Sequence, residues 1–319
     1  MGSAEHIVGM DIGGTKMLAV VFDQDFCPIG RFRKKSKSKV SPGDHVCNII
    51  QGALDDAGVK EIRGIGMGSP GPLDPESGVI IDTPNLGWKD FPLAGIVQER
   101  FGVPAVVDND VNLGTYGEWC FGEVQDCRNV LGLFPGTGVG GGIIIDGKLL
   151  HGFTGSAAEV GHMTLEVDGP FCGCGKRGCL EALASRIAIA KEVAALAARG
   201  DAPYIRENCG TDLAKIRSGV LARAVAAGDI QVEDVIRRAA YYVGVGVGNL
   251  INTLSPEAVV LGGGLVEAME TLYLEEVTRA VNSHAMPFIR KDVRIVAAKL
   301  GDDAVAMGAA RLIHDKLLA

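Results

Sequence analysis

A chain of 319 residues, 47% of them hydrophobic, is long enough for two domains with well-buried cores. Its formal net charge of -8 argues against a general nucleic-acid binder, which needs a basic surface for phosphate contacts. The longest apolar runs, such as residues 143–145 and 258–261, fall far short of the roughly 20 residues of a membrane-spanning helix, so no membrane association is expected.

The opening residues, MGSAEHIVGMDIGG, contain no charged segment followed by an apolar core and no Ser or Thr at position 6. Neither a secretory leader nor myristoylation is expected. Apolar runs at 6–12 and 17–22 flank the turn Asp11-Ile12-Gly13-Gly14-Thr15-Lys16, which predicts strand, turn and returning strand; residues 28–35 complete a meander. The basic stretch 31–39, RFRKKSKSK, reads as a nuclear signal, an RNA patch or a solvent-facing edge strand protected by its lysines. The acidic balance of the chain favours the edge strand. Residues 44–57 space Val46, Ile49, Ile50, Ala53 and Leu54 as a helix stopped by Gly58. A buried strand at 62–68, a loop at 69–78, a helix at 92–101 closed by Gly102 and a strand at 105–107 lead to Asp108-Asn109-Asp110.

The second half restarts with strand 130–134, a glycine-rich turn at 136–142 and strand 143–145, which suggests an internal duplication. A helix at 182–198 ends at Gly200, and 202–217 reads as irregular. The helical run 232–254 carries Gly244, Gly246 and Gly248, each costing roughly 1 kcal/mol against Ala, and this points to close packing on a sheet or to a hinge. Strand 258–261, turn 262–264, helix 265–281, strand 293–297 and a helix 304–318 capped by Asp302 or Asp303 complete the order.

Between the halves lies EVGHMTLEVDGPFCGCGKRGCLE, residues 159–181. His162, Cys172, Cys174 and Cys179 form a Cys3His set suited to tetrahedral zinc, and the three thiols are too close in sequence for comfortable disulfides among themselves. Four protein ligands make a closed, structural site. Folding the loop around the metal would set Glu159 and Glu181 side by side, ready to hydrogen-bond a polyhydroxyl ligand. The remaining cysteines, Cys27, Cys47, Cys120, Cys127 and Cys209, are scattered and fit a reducing cytoplasm.

Three glycine-rich turns, at 13–14, 136–142 and 262–264, each follow a strand, where backbone N–H groups can approach an anion. Gly136, Gly138 and Gly141 match GxGxxG, but a strand follows instead of the helix a dinucleotide fold requires, and no GxxxxGK[ST] loop is present.

The segments Asp11 to Lys16, Gly136 to Gly142, Glu159 to His162 and Cys172 to Glu181 resemble, in order and across essentially the whole chain, the signatures of ROK proteins, which comprise repressors and sugar kinases; bacterial glucokinases are the nearest match. The resemblance implies an actin-like, hexokinase-type α/β fold of duplicated ribonuclease-H-like domains, with ATP and sugar in a cleft between them. Residues 1–117 with a returning 300–319 would form a smaller domain, and 118–299 a larger one carrying the zinc loop. It assigns Asp110 as the base that takes the proton of the attacking sugar 6-hydroxyl. From the residues alone Asp108 is an equal candidate, and Asp110 would equally serve as the N-cap of a helix starting at Val111. Asn85, Asn109, Asp110, Glu159, His162 and Glu181 would hold the sugar, His162 also binding zinc. Asp11 would orient Mg2+ through water; Gly13, Gly14, Thr15, Lys16, Gly136, Thr137 and Gly138 would face the phosphates, and Gly263 and Gly264 the nucleoside. Ala158, where many members have Gly, and Pro135, before the second phosphate turn, depart from the pattern.

The expected activity is phosphorylation of a hexose at its 6-hydroxyl, glucose first, with N-acetylmannosamine, fructose, mannose or allose as alternatives and polyphosphate as an alternative donor. A repressor would need a winged helix-turn-helix before the first turn, and ten residues precede Asp11. A silent sugar-binding protein is disfavoured by the presence of both Asp11 and Asp110. A cytoplasmic homodimer or homotetramer is expected.

Overall fold

The computed structural model describes residues 6–83 and 85–318; Pro84, expected to lead the Asn85 segment, lies outside them. Apolar runs on both sides of the first glycine turn become β1 (Ile7–Ile12) and β2 (Lys16–Phe22), paired antiparallel from Ile7↔Phe22 to Ile12↔Met17. Both are buried nearly throughout, which is why neither shows polar alternation. β3 (Pro28–Lys35) completes the meander as an exposed edge, and its Arg31 and Arg33 pair with Asp303 and Asp302 at 2.9 and 2.8 Å. The basic stretch is thus the edge strand that the charge balance favoured.

α1 (Pro42–Ala57) is capped by Ser41 and ends at left-handed Gly58. β4 (Gly64–Ser69) follows. The segment expected as a loop instead begins a three-stranded antiparallel sheet of β5 (Leu73–Asp74), β6 (Val79–Thr83) and β7 (Trp88–Phe91). Next come α2 (Leu93–Phe101), β8 (Ala105–Asn109) and α3 (Asp110–Phe121). The first large sheet has the order β3-β2-β1-β4-β8, with β1, β4 and β8 parallel.

The second half contains β9 (Val130–Pro135), β10 (Val139–Ile145), β11 (Lys148–Leu149) and a 3-10 turn at Val160–His162. The single helix expected at 182–198 is divided at Ser185 into α4 (Leu180–Ala184) and α5 (Arg186–Arg199), because the Ser185 hydroxyl accepts from Ala188 N and starts a new helix. The region read as irregular contains α6 (Pro203–Asn208) and leads to α7 (Ser218–Ala226). α8 (Ile230–Leu254) is continuous through its glycines. Gly244 and Gly248 lie against Val277, Ala280 and His284, so they admit a neighbouring helix and mark neither a sheet contact nor a hinge. β12 (Ala258–Leu261), α9 (Gly264–Ala268), α10 (Glu270–His284), α11 (Pro287–Arg290), β13 (Arg294–Ala297), a 3-10 turn at Gly301–Asp303 and α12 (Ala304–Leu318) finish the chain. The helix expected at 265–281 is likewise two, parted at Met269.

The second sheet, β11-β10-β9-β12-β13, repeats the plan of the first, a meander extended by two parallel strands. This is the duplication suggested by the two glycine hairpins. Contacts divide the chain into two compact units. One runs to Asp126 and includes Gly142–Ala157 and the residues from Asp302 on; the other comprises Cys127–Gly141 and Ala158–Gly301. α3 runs unbroken across position 117. No helix of the described residues is long and apolar enough to cross a membrane.

In the first unit, α12 lies directly on backbone. A Cβ built at Gly9 would sit 1.9 Å from the Ala306 carbonyl oxygen, and one at Gly66 1.9 Å from that of Ala309. α3 is held the same way: a Cβ at Gly308 would fall 1.9 Å from Leu113 O, and one at Gly117 2.3 Å from Ala304 O. Ala306, Ala310 and Ile313 then bury against Ile7, Leu18, Val20 and Phe22. Gly66→Ala or Gly308→Ala is expected to destabilise the protein by about 3 kcal/mol in denaturant titrations, since backbone atoms cannot give way. Gly95→Ala, in exposed α2 with nothing within 4 Å of its added methyl, is expected to stabilise by up to about 1 kcal/mol.

Candidate active site

The parallel strands of the first unit end together. Asp11 stands near the end of β1, and β8 delivers Asp108 and Asn109 to the start of α3. The β1–β2 turn closes through Gly13 N donating to Lys16 O at 3.0 Å, and Ser36 Oγ donates to Gly13 O at 2.6 Å. The Gly13 amide is therefore spent within the turn. Lys16 begins β2, exposed and opposite Lys35. Asn85 is brought to the turn: a Cβ added at Gly14 would be 3.5 Å from that of Asn85.

Asp11 is partly buried among like charges. Burial first, then Asp110 and Asp302, push its carboxyl up to about 7 against the opposing pull of Arg33. The structure thus gathers Asp11, Gly13, Gly14, Thr15, Asn85 and Asp110 within one unit. Asp302 joins them, and no sequence motif marks it.

Asp108 and Asp110, equivalent in sequence, differ in structure. Asp108 is 2% exposed; its Oδ1 accepts from Asn109 N at 2.7 Å and Asn112 Nδ2 at 3.2 Å, and its Oδ2 contacts His151 Nε2 at 2.6 Å. Both oxygens are occupied by structural partners. The bond to Asp108 holds the His151 imidazole above its usual pKa. Nothing in the sequence links His151 to Asp108, because a 43-residue separation carries no periodic signal. The N-cap of α3 is Asn109, whose Oδ1 accepts from Val111 N at 2.9 Å and Asn112 N at 3.2 Å; Asp110, the cap considered from sequence, shares the Val111 N–H through its own Oδ1 at 3.0 Å. Asn109 consequently keeps its amide NH2 to offer a ligand, not its oxygen. Asp110 is the first helical residue.

In the second unit, the nitrogen of His162 and the sulfurs of Cys172, Cys174 and Cys179 all lie within 4.8 Å of one another. Cys174 Sγ and Cys179 Sγ are 3.7 Å apart, as are Cys172 Sγ and His162 Nδ1. A tetrahedron with metal–sulfur arms of about 2.3 Å has edges of about 3.8 Å, so the donor set fits zinc in both chemistry and size. Two short bridges, Thr164↔Cys179 and Phe171↔Arg177, hold the loop, and Cys172 N donates to Lys176 O at 2.8 Å. Burial pushes the Cys172 thiol up, so metal binding there displaces a proton. His162 Nε2 lies 3.9 Å from Glu159 Oε2, leaving Nδ1 toward the thiols.

Glu181 connects this loop to the second glycine turn. Its Oε2 accepts from Val139 N at 3.1 Å, and a Cβ at Gly138 would sit 2.3 Å from that oxygen. Gly136 N donates to Gly138 O at 2.8 Å, and the third turn rests beside it, since a Cβ at Gly263 would lie 2.9 Å from Pro135 O. Glu159, Glu181, His162, Gly136 to Gly138, Gly263 and Gly264 are thus all assembled in one unit. Ala158, the departure from the family pattern, adopts a left-handed φ of 66°, a conformation that favours glycine. Arg186, which no motif marks, hydrogen-bonds Thr137.

The ROK family model matches residues 7–316. The chain is 34% identical to a glucokinase of Halalkalibacterium halodurans over 97% of its own length and 95% of that protein. It is 36% identical to a xylose repressor of Caldicellulosiruptor bescii over 82% of this chain and 64% of that one. Its fold matches a ROK family glucokinase from Streptomyces griseus, solved with glucose and AMPPNP, with a TM-score of 0.83, 32% identity and coverage of 96% and 98%. A hexokinase-type fold, the duplicated sheets, the Cys3His loop and a match over nearly the whole length agree: the chain belongs to the ROK family.

Proposed function

We propose that this protein transfers the γ-phosphoryl group of ATP to the 6-hydroxyl of a hexose, with glucose preferred. The observation that supports this reading is the placement of the neighbouring carboxylates: both oxygens of Asp108 are engaged by structural partners, while Asp110, whose Oδ1 accepts from Val111 N at 3.0 Å, opens α3 beside Asp11. Asp110 is the general base, accepting the proton as the sugar oxygen attacks. Asn85, the Asn109 amide, Glu159, the His162 imidazole and Glu181 hydrogen-bond the sugar hydroxyls. The Gly14 and Thr15 amides of the turn that Gly13 closes, with Lys16, Gly136, Thr137 and Gly138, receive the phosphates, and Gly263 and Gly264 the nucleoside. The similarity to glucokinases supports glucose as first substrate.

The crowding of Asp11, Asp110 and Asp302 suits a divalent cation, with Asp11 orienting it through water. Mg2+ bound with ATP supplies countercharge for the phosphoryl oxygens. A zinc ion held by His162, Cys172, Cys174 and Cys179 fixes the loop that presents Glu159, His162 and Glu181. Zinc thiolates persist in a reducing compartment, so the cytoplasm is the expected location.

The substrate is tested by following ADP release from Mg-ATP with glucose, mannose, fructose, allose, N-acetylglucosamine and N-acetylmannosamine. Glucose is expected to give the highest kcat/KM, and Asp110→Asn to lower kcat by about 10²- to 10⁴-fold with little change in sugar affinity. A tenfold lead for another hexose would replace glucose as the substrate.

Purified protein is expected to carry about one zinc per chain by elemental analysis. Cys174→Ser should lose it and raise KM for sugar far more than KM for ATP; unchanged sugar binding in the zinc-free variant would separate the loop from the substrate.

Asp11 makes stability depend on pH. Its carboxyl is near 7 when folded and 3.8 as a free group, so its ionisation opposes folding increasingly from about pH 4 to about pH 7. Asp11→Asn should therefore melt higher than the parent above pH 7 without Mg2+, by roughly 1–3 kcal/mol, and the difference should vanish near pH 4.

A further inference from the structure

Arg186 opens α5 against the second glycine turn. Its backbone N–H donates to Gly136 O at 2.8 Å, its Nη2 to Thr137 Oγ1 at 3.2 Å and its Nη1 to Ile216 O at 3.3 Å. None of these acceptors is a carboxylate. Arg217, next to Ile216, is a like-charged neighbour, and its own side-chain bond runs from Nε to Ala214 O at 3.4 Å. Desolvation and then Arg217 hold the Arg186 pKa below the usual guanidinium value, with no acidic group acting in the other direction.

Arg177, Arg223 and Arg290 also bond neutral acceptors, and what sets Arg186 apart is the like-charged Arg217 beside it. Arg31, Arg33, Arg199, Arg237, Arg238, Arg279 and Arg311 all pair with carboxylates. Acidic residues outnumber Lys and Arg by 39 to 31, so countercharge is abundant elsewhere. A half-buried guanidinium beside a second one is costly until an anion arrives, and the fork of arginine donors matches phosphate oxygens. The pair also spans the right segments. Arg186 is bonded to Thr137, and Arg217 precedes Ser218, whose Oγ would lie 3.5 Å from a Cβ on Gly264.

We propose that Arg186 and Arg217 form the subsite for the polyphosphate chain of the phosphoryl donor, with Arg186 reaching the phosphate that Thr137 also contacts. The assignment rests on the phosphate role given above to Thr137. It makes the donor's terminal phosphates the feature recognised, so affinity should depend on their number and charge, and binding should weaken with salt.

The test is calorimetric titration of ATP, ADP and adenosine, each with Mg2+, into the parent protein and into Arg186→Gln, Arg217→Gln and Arg186→Lys. ATP and ADP are expected to bind about 10- to 100-fold more weakly to Arg186→Gln, with adenosine unchanged and Arg186→Lys partly restored. Melting curves identify any variant that has lost its fold, for which the Lys variant and Arg217→Gln carry the decision. ATP affinity within twofold of the parent in folded Arg186→Gln, or an equal loss for adenosine, would overturn the subsite. Hexose turnover by the parent is read separately: turnover with an arginine-independent KM for ATP removes this inference and leaves the kinase reading, whereas arginine-dependent ATP binding without turnover of any hexose does the reverse.

Discussion

The contact on which the first unit depends is between backbones: the carbonyls of Ala306 and Ala309 on α12 against the α-carbons of Gly9 and Gly66 on the sheet. Because α12 follows directly on Asp302 and Asp303, its docking brings those two carboxylates to Arg33 and Arg31 on β3. The same helix holds α3 through Gly117 and Gly308, and α3 begins with Asp110. The charge cluster around Asp11 is therefore built from strand, helix start and chain return, positioned by the absence of four β-carbons. Side-chain packing adjusts by rotamer; carbonyl against Cα does not, and the tolerance of this arrangement is accordingly narrow.

Each unit carries an imbalance of charge. In the first, Asp11 sits with Asp110 and Asp302 and has Arg33 as its opposing influence. In the second, Arg186 and Arg217 stand together without a carboxylate. Clusters of like charge are candidate ligand sites, since a bound counterion lowers their repulsion. By contrast, both carboxylate oxygens of Asp108 are engaged, by Asn109, Asn112 and His151.

Much of this was legible in the residues. The strand–turn–strand units were marked by apolar runs broken by glycines, and the Cys3His cluster by its spacing. The edge strand was marked by its lysines and arginines. What escaped had short or long reach. β5, β6 and β7 are two to five residues each and are defined by pairing with one another, which leaves little periodic trace. The breaks at Ser185 and Met269 interrupt helices for one residue while the apolar spacing continues through them. Gly138 was legible as part of a glycine-rich turn, yet that its lack of a side chain admits the Glu181 carboxylate was not. His151 and Arg186 act across distances in sequence that only a folded chain closes.

The first unit is discontinuous, and this bears on how the molecule is made. β1 and β4 emerge early, but the helix that covers Gly9 and Gly66 comes last. At roughly 5–20 residues per second, a ribosome leaves that sheet face without its cover for on the order of tens of seconds. During this interval Ile7, Leu18, Val20 and Phe22 have no native apolar partner from α12. The nascent chain thus passes through a stage in which a hydrophobic face of its first sheet is uncovered, and consolidation of the first unit is deferred until α12 has been made.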